Sequence, residues 1–143
     1  MPGSPLAVPN VEVGPWPAYV VTMKAGGAIA FGDVVMSTDG ISATAATTGV
    51  ETLKGVALRD ATKASYVTND VVPVLLFGTG VVITDAAVAV GEVVEASSVV
   101  AAGRVREYVE STDLNKVTAQ KLIGKVLFGS GAAAKALITV GWG

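Results

Sequence analysis

The chain has 143 residues, 51% of them hydrophobic and 15% charged, and its ten basic and twelve acidic side chains give a net charge of −2. It contains no cysteine and no histidine, which excludes disulfide frameworks, thiol nucleophiles, iron–sulfur clusters, zinc-finger ligand sets and the Ser-His-Asp arrangement. Its length and apolar content suit one domain, or two small halves sharing a core.

From the N-terminus, five of the six prolines (Pro2, Pro5, Pro9, Pro15 and Pro17) fall within the first 17 residues. Proline fixes φ and removes a backbone donor, so this segment cannot pair regularly in a sheet and favours an extended course. Residues 1–17 are therefore predicted to form an arm outside the body, which begins at Ala18 and runs from 18 to 143. The arm is apolar through Leu6, Val8, Val11, Val13 and Trp16 and carries one charge, Glu12. A proline-stiffened apolar arm suits docking onto a neighbouring subunit, because rigidity lowers the entropy lost on ordering.

In the body, abundant Val and Thr with recurrent Gly predicts strands joined by tight turns. Residues 18–24 form the first predicted strand and 33–37 the second, followed by Asp39-Gly40, the strongest hairpin-type turn signal in the chain. Further strands are predicted over 53–59, 71–77, 81–84, 92–96, 104–110, 122–128 and 134–140. Gly78-Thr79-Gly80 and Gly129-Ser130-Gly131 read as turns between strands, since neither continues into a phosphate-binding fingerprint. A helix is predicted over 113–122, where Leu114, Val117 and Leu122 share a face and Ser111 or Thr112 offers a cap. Trp142 is predicted to plug the core after the last strand. The fold class is all-β, a compact sandwich or barrel-like domain of short strands.

The body repeats itself weakly. Phe31-Gly32-Asp33-Val34-Val35 is echoed by Val90-Gly91-Glu92-Val93-Val94, and Leu53-Lys54-Gly55-Val56-Ala57-Leu58 by Leu122-Ile123-Gly124-Lys125-Val126-Leu127. A glycine before an acidic residue and two valines gives a tight turn leading into a buried strand. An internal duplication is the expectation, its second copy lengthened by the charged stretch 104–121.

No residue constellation points to catalysis. Glu92 and Glu95, Asp33 and Asp39, and Glu107 and Glu110 lack the spacing of a calcium loop or a paired acid and base. Glu107 and Glu110, beside Arg104 and Arg106, read as a salt-bridged strand. No catalytic, cofactor-binding or metal site is expected, and the protein is not expected to be an enzyme. The densest basic cluster, Lys116, Lys121 and Lys125, follows Glu107, Glu110 and Asp113, so nucleic-acid binding is not expected. Mean hydropathy is +0.60, yet the longest uncharged run, 71–84, is 14 residues and contains Pro73, Gly78 and Gly80. A spanning helix needs about 20 apolar residues, and no basic start precedes an apolar stretch at the N-terminus. A protein made in a cytoplasm, without a membrane partner, is expected.

The Gly-acidic-Val-Val turns at 32–35 and 91–94, the segment Gly55-Val56-Ala57-Leu58-Arg59-Asp60-Ala61, the run 72–80 and the closing 137–143 together resemble the small Gly/Ala/Val-rich capsid decoration (cement) proteins of tailed bacteriophages. Lys125 departs from the pattern, where a small or apolar residue is expected after Gly124, as does the charged insert 104–121. The resemblance implies a β-rich protein on the outside of an icosahedral head, synthesised in the host cytoplasm, bound to the major capsid protein and commonly trimeric. It implies that the arm reaches over neighbouring subunits, with Leu6, Val8, Val11, Val13 and Trp16 as anchors. The alternative from another class is a ligand- or carbohydrate-binding β-module of a surface or tail structure.

Overall fold

The computed structural model describes residues 18–47, 53–108, 122–131 and 134–141. The arm anchors Leu6, Val8, Val11, Val13 and Trp16, Glu110, Trp142 and residues 113–121 of the helix predicted over 113–122 lie outside the described residues; Leu122, the last residue of that prediction, opens a strand instead. Among those described there is no helix. Nine strands form the body: β1 (Tyr19–Ala25), β2 (Val34–Ser37), β3 (Ser42–Ala45), β4 (Leu53–Ala57), β5 (Val71–Ile83), β6 (Val93–Ser97), β7 (Arg104–Glu107), β8 (Leu122–Phe128) and β9 (Lys135–Val140).

The first five close on themselves. Hydrogen bonding runs β1-β3-β2-β4-β5, and β5 pairs again with β1. Only β1 and β3 run parallel in this barrel; the other ladders are antiparallel. Closure leaves no edge strand, and alternate side chains fill the interior. Met23, Ala25, Ile29, Val35, Ala43, Ala57, Tyr66, Val72 and Val74 form that core.

The 13-residue β5 then leaves this barrel and opens a second one. Its C-terminal half pairs antiparallel with β9, from Gly78 opposite Val140 to Ile83 opposite Lys135. β9 pairs with β8, β8 with β6 and β6 with β7, all antiparallel. A parallel bridge between Thr84 and Val105 returns β7 to the end of β5. This is the ladder order of the first barrel, parallel contact included.

The correspondence holds residue by residue. Gly32 and Gly91 both adopt left-handed φ, 84° and 87°, a conformation that glycine enters without a Cβ clash. In each copy the acidic residue after this glycine turns back to cap the loop. Asp33 accepts from the Ala30 amide at 2.9 Å, and Glu92 accepts from the Ala89 amide. Gly32 N donates to Ala57 O at 2.9 Å, and Gly91 N to Val126 O at 2.8 Å. Ile29 bridges Tyr66 as Val88 bridges Ser130. Ala25 N reaches Asp70 O as Thr84 N reaches Ala134 O, both at 2.8 Å. The duplication read from the two glycine turns is therefore a repeat of whole five-stranded barrels that share β5. The second copy keeps its strand order despite the charged insert.

Two predicted features differ. Gly78-Thr79-Gly80 is not a turn but the middle of β5, joining the predicted strands 71–77 and 81–84 into one. Gly78 sits at φ 133°, so glycine here redirects the strand from one barrel to the next instead of reversing it. β3 had no counterpart in the prediction, because Ser42-Ala43-Thr44-Ala45 carries no large apolar side chain.

The cores are connected. A second cluster joins Val82, Val88, Val94, Val105, Val126, Ala136 and Ile138 inside the C-terminal barrel to Val34, Val56, Leu58 and Leu75 of the N-terminal one. Their interiors are filled differently, most plainly where fully buried Tyr66 plugs the N-terminal barrel and its counterpart in the second is Ser130. The Tyr66 hydroxyl donates to Leu58 O, and its ring meets Phe31 edge-on at 5.2 Å. Burial, then the carboxylates of Asp60 and Asp70, push its hydroxyl up to about 12. The unfolded phenol ionises near 10, so above that pH the unfolded state binds fewer protons than the native one and stability falls. The urea midpoint is expected to drop between about pH 10 and 12 more steeply in the wild type than in Tyr66→Phe. Parallel pH profiles for the two proteins would contradict this.

Candidate interaction surfaces

The carboxylates are occupied with structural work. Asp39 ties the β2–β3 turn, accepting from the Ile41 and Ser42 amides, both at 2.8 Å, and from the Ser37 hydroxyl at 3.2 Å. The Ser42 and Ile41 amides hold its carboxyl below the usual range. Asp33 is buried, which raises its carboxyl. Glu95 of β6 is buried opposite Arg106 of β7, with Arg106 Nη2 and Nε at 2.8 and 2.9 Å from Glu95 Oε1. The predicted salt-bridged strand is thus β7, with Glu95 as its partner. Glu107 instead faces Glu92, whose hydrogen bond and negative charge raise the Glu107 carboxyl. Ser97 donates to Asp85 and accepts from the Val99 amide at 3.3 Å, which closes a turn. Among the described residues, no three of the Asp and Glu side chains gather as metal ligands.

What the surface offers instead is apolar area. Tyr19 and Phe77 are register partners in β1 and β5, and both stay mostly exposed. Ala18, the first described residue, lies beside them: a Cβ on Gly78 would stand 3.2 Å from its methyl. Phe128 at the end of β8 is 69% exposed and Val90 is 70% exposed.

An open groove of about 640 Å³ lies on the C-terminal barrel between Phe77, Val90, Leu127 and Val140. Gly91 forms part of its wall, and Thr79 lies at its floor with an Oγ1 that has no hydrogen-bond partner among the described residues. Contiguous exposed apolar patches of this kind mark interaction sites more often than free surface. Sequence reading missed the groove, because β5, β8, β9 and the turn at Val90 assemble it from four separated stretches.

A smaller cavity of about 340 Å³ lies where the two barrels meet, between Phe31, Gly32, Ala57 and Leu58 on one side and Val81, Ile83 and Lys135 on the other. By the register of the repeat, Phe31, Gly32, Ala57 and Leu58 correspond to Val90, Gly91, Val126 and Leu127 of the open groove. The two surfaces are copies of each other, one covered and one not. Lys125, the departure noted in the sequence, corresponds to Val56. Val56 is fully buried at the seam, whereas Lys125 is exposed, so the second copy tolerates a charge there.

No family model and no curated protein matches the sequence. Among solved structures, the fold is similar to that of the head fiber gp8.5 N base of bacteriophage phi29, with a TM-score of 0.59 and 12% sequence identity. The match covers 87% of this chain and 94% of that one, so the two share the fold across nearly their whole lengths.

Proposed function

We propose that the chain is a structural protein of a bacteriophage head that binds the outer surface of the shell as a cement or decoration protein, assembled as a homotrimer and without enzymatic activity. The observation that carries this reading is the fold shared with a phage head fiber base over 87% of this chain. The apolar groove and the exposed Tyr19, Phe77 and Phe128 support a protein that completes its burial against neighbours. The major capsid protein is the proposed partner. Decoration in this reading is mechanical: apolar burial across capsomer seams, multiplied by the avidity of three copies, opposes the pressure of packaged DNA.

The arm supplies part of the grip, through Leu6, Val8, Val11, Val13 and Trp16. Five apolar anchors are worth about 8–15 kcal/mol gross, at about 1.5–3 kcal/mol for each side chain fully buried, of which the ordering of the arm offsets a large part. Deleting residues 1–17 is therefore expected to weaken binding to purified heads by ~100-fold or more while the far-ultraviolet spectrum and unfolding midpoint of the body stay unchanged. Equal affinity of the truncated and full-length proteins in a sedimentation titration would remove the arm from the account.

A further inference from the structure

The internal seam shows how this fold covers one of its own surfaces. On the N-terminal barrel the covered surface is Phe31, Gly32, Ala57 and Leu58. Onto it come Val81 and Ile83 of β5, Lys135 of β9 and Gly103 of the β6–β7 turn. A Cβ on Gly32 would stand 3.1 Å from Val81 O and 3.7 Å from the Ile83 side chain. Gly103 lies against Asp33, and its backbone bonds Val34 and Ala46 at 2.8 and 2.9 Å.

Both halves of this contact recur uncovered among the described residues. The repeat of the covered surface is Val90, Gly91, Val126 and Leu127. Among the described residues, no atom beyond the chain neighbours of Gly91 lies within 4 Å of the place its Cβ would take. The repeat of the covering surface is Thr22 for Val81, Lys24 for Ile83, Val71 for Lys135 and Ile41 for Gly103, from the same ladder registers. Those four residues share one open depression on the N-terminal barrel, and Ile41 and Val71 are 68% and 63% exposed.

We propose that the groove at Val90, Gly91 and Leu127 is the docking site for a second copy of this chain, which brings its Thr22, Lys24, Ile41 and Val71 face to it head to tail. The inference rests on the self-association part of the proposed function and not on capsid binding. Charge agrees with it. Ile83 approaches Gly32 at the seam, so its counterpart Lys24 comes to Gly91 of the neighbour, beside the juxtaposed carboxylates of Glu92 and Glu107. Lys125 in place of buried Val56, and Ile41 in place of Gly103, where a Cβ would stand 2.7 Å from Asp33, hold this contact further apart than the internal one. Head-to-tail contacts either close into rings or run on as filaments. Closure at three chains places six barrels in one ring with alternating internal and intermolecular seams.

The test uses the full chain and its mass in solution. The wild type is expected to have the mass of three chains. Leu127→Glu in the groove and Ile41→Asp on the opposite face are each expected to reduce it to one. Mixed at high concentration, the two variants retain one intact groove and one intact docking face between them and are expected to form a 1:1 pair that grows no further. Formation of the pair also shows that both variants are folded. If either fails to fold, Val90→Lys and Val71→Lys make the same two lesions at residues 70% and 63% exposed. A monomeric wild type, a variant of wild-type mass or a mixture that stays monomeric would overturn the proposal. So would collapse to a monomer on deleting residues 1–17, which would place the arm in the groove. A monomer that still coats heads overturns this contact and leaves decoration standing; a trimer that ignores heads does the reverse.

Discussion

Gly124→Ala is expected to destabilise the protein by about 3 kcal/mol, at the upper end of what overpacking costs, and to lower the melting temperature by on the order of 10 °C. β8 and β9 approach so closely at this point that a Cβ on Gly124 would overlap the carbonyl oxygen of Thr139. That oxygen belongs to backbone and cannot swing aside. The counterpart in the first barrel repeats the constraint: a Cβ on Gly55 would stand 2.7 Å from Leu75 O and 2.5 Å from a Val74 methyl. Thr139 and Leu75 correspond in the repeat, so the same crossing of two strands demands glycine twice. Gly55→Ala is expected to behave like Gly124→Ala. Gly131→Ala, with no neighbour within 4 Å among the described residues, should stay within about 0.5 kcal/mol of wild type. Urea unfolding of the three variants separates these outcomes, and a Gly124→Ala midpoint equal to that of Gly131→Ala would contradict the close approach.

The second large effect is expected at the seam. Leu75 is fully buried on the strand that both barrels share, within the cluster that joins Val56 and Leu58 of one to Val82 and Val126 of the other. Leu75→Ala removes three carbons from this junction and is expected to cost about 2–5 kcal/mol. Because β5 contributes hydrogen bonds to both barrels, losing either one frees half of a common strand. Unfolding is therefore expected to remain a single transition in the variant, coincident by tyrosine fluorescence and by far-ultraviolet circular dichroism. With Tyr19 and Tyr108 replaced by Phe in both proteins, Tyr66 reports on the first barrel and the backbone signal on both. A biphasic curve, with Tyr66 released before the second barrel melts, would show that the seam does not couple the two halves.

The residues that made the repeat legible are those for which the turn leaves little choice. Gly32 and Gly91 need left-handed φ, and Asp33 and Glu92 need a carboxylate to cap the preceding amide. Gly55 and Gly124 need to lack a Cβ. Requirements of this kind survive where the apolar filling between them drifts, as Tyr66 against Ser130 and Val56 against Lys125 illustrate. β3 was not legible, because its buried residue, Ala43, is small and Ser42, Thr44 and Ala45 add no large apolar side chain. The continuity of β5 was hidden for the opposite reason: Gly78 and Gly80 carry the usual marks of a turn, yet here they let a strand change barrels. Tyr66 gave no signal, lying in the polar stretch Ser65 to Asp70 with no alternation around it. The groove and the seam cavity were out of reach of any local pattern, since their relation exists only once both barrels are folded and superposed by register.

The proposed coating of a phage head from outside is tested most directly by titrating the full chain onto purified heads that lack it and weighing what sediments. Saturable binding, a bound copy number per head that is a multiple of three, and removal of the bound protein by protease added to intact heads are expected. Protein that stays in the supernatant at every ratio, or that sediments without saturation, would contradict it.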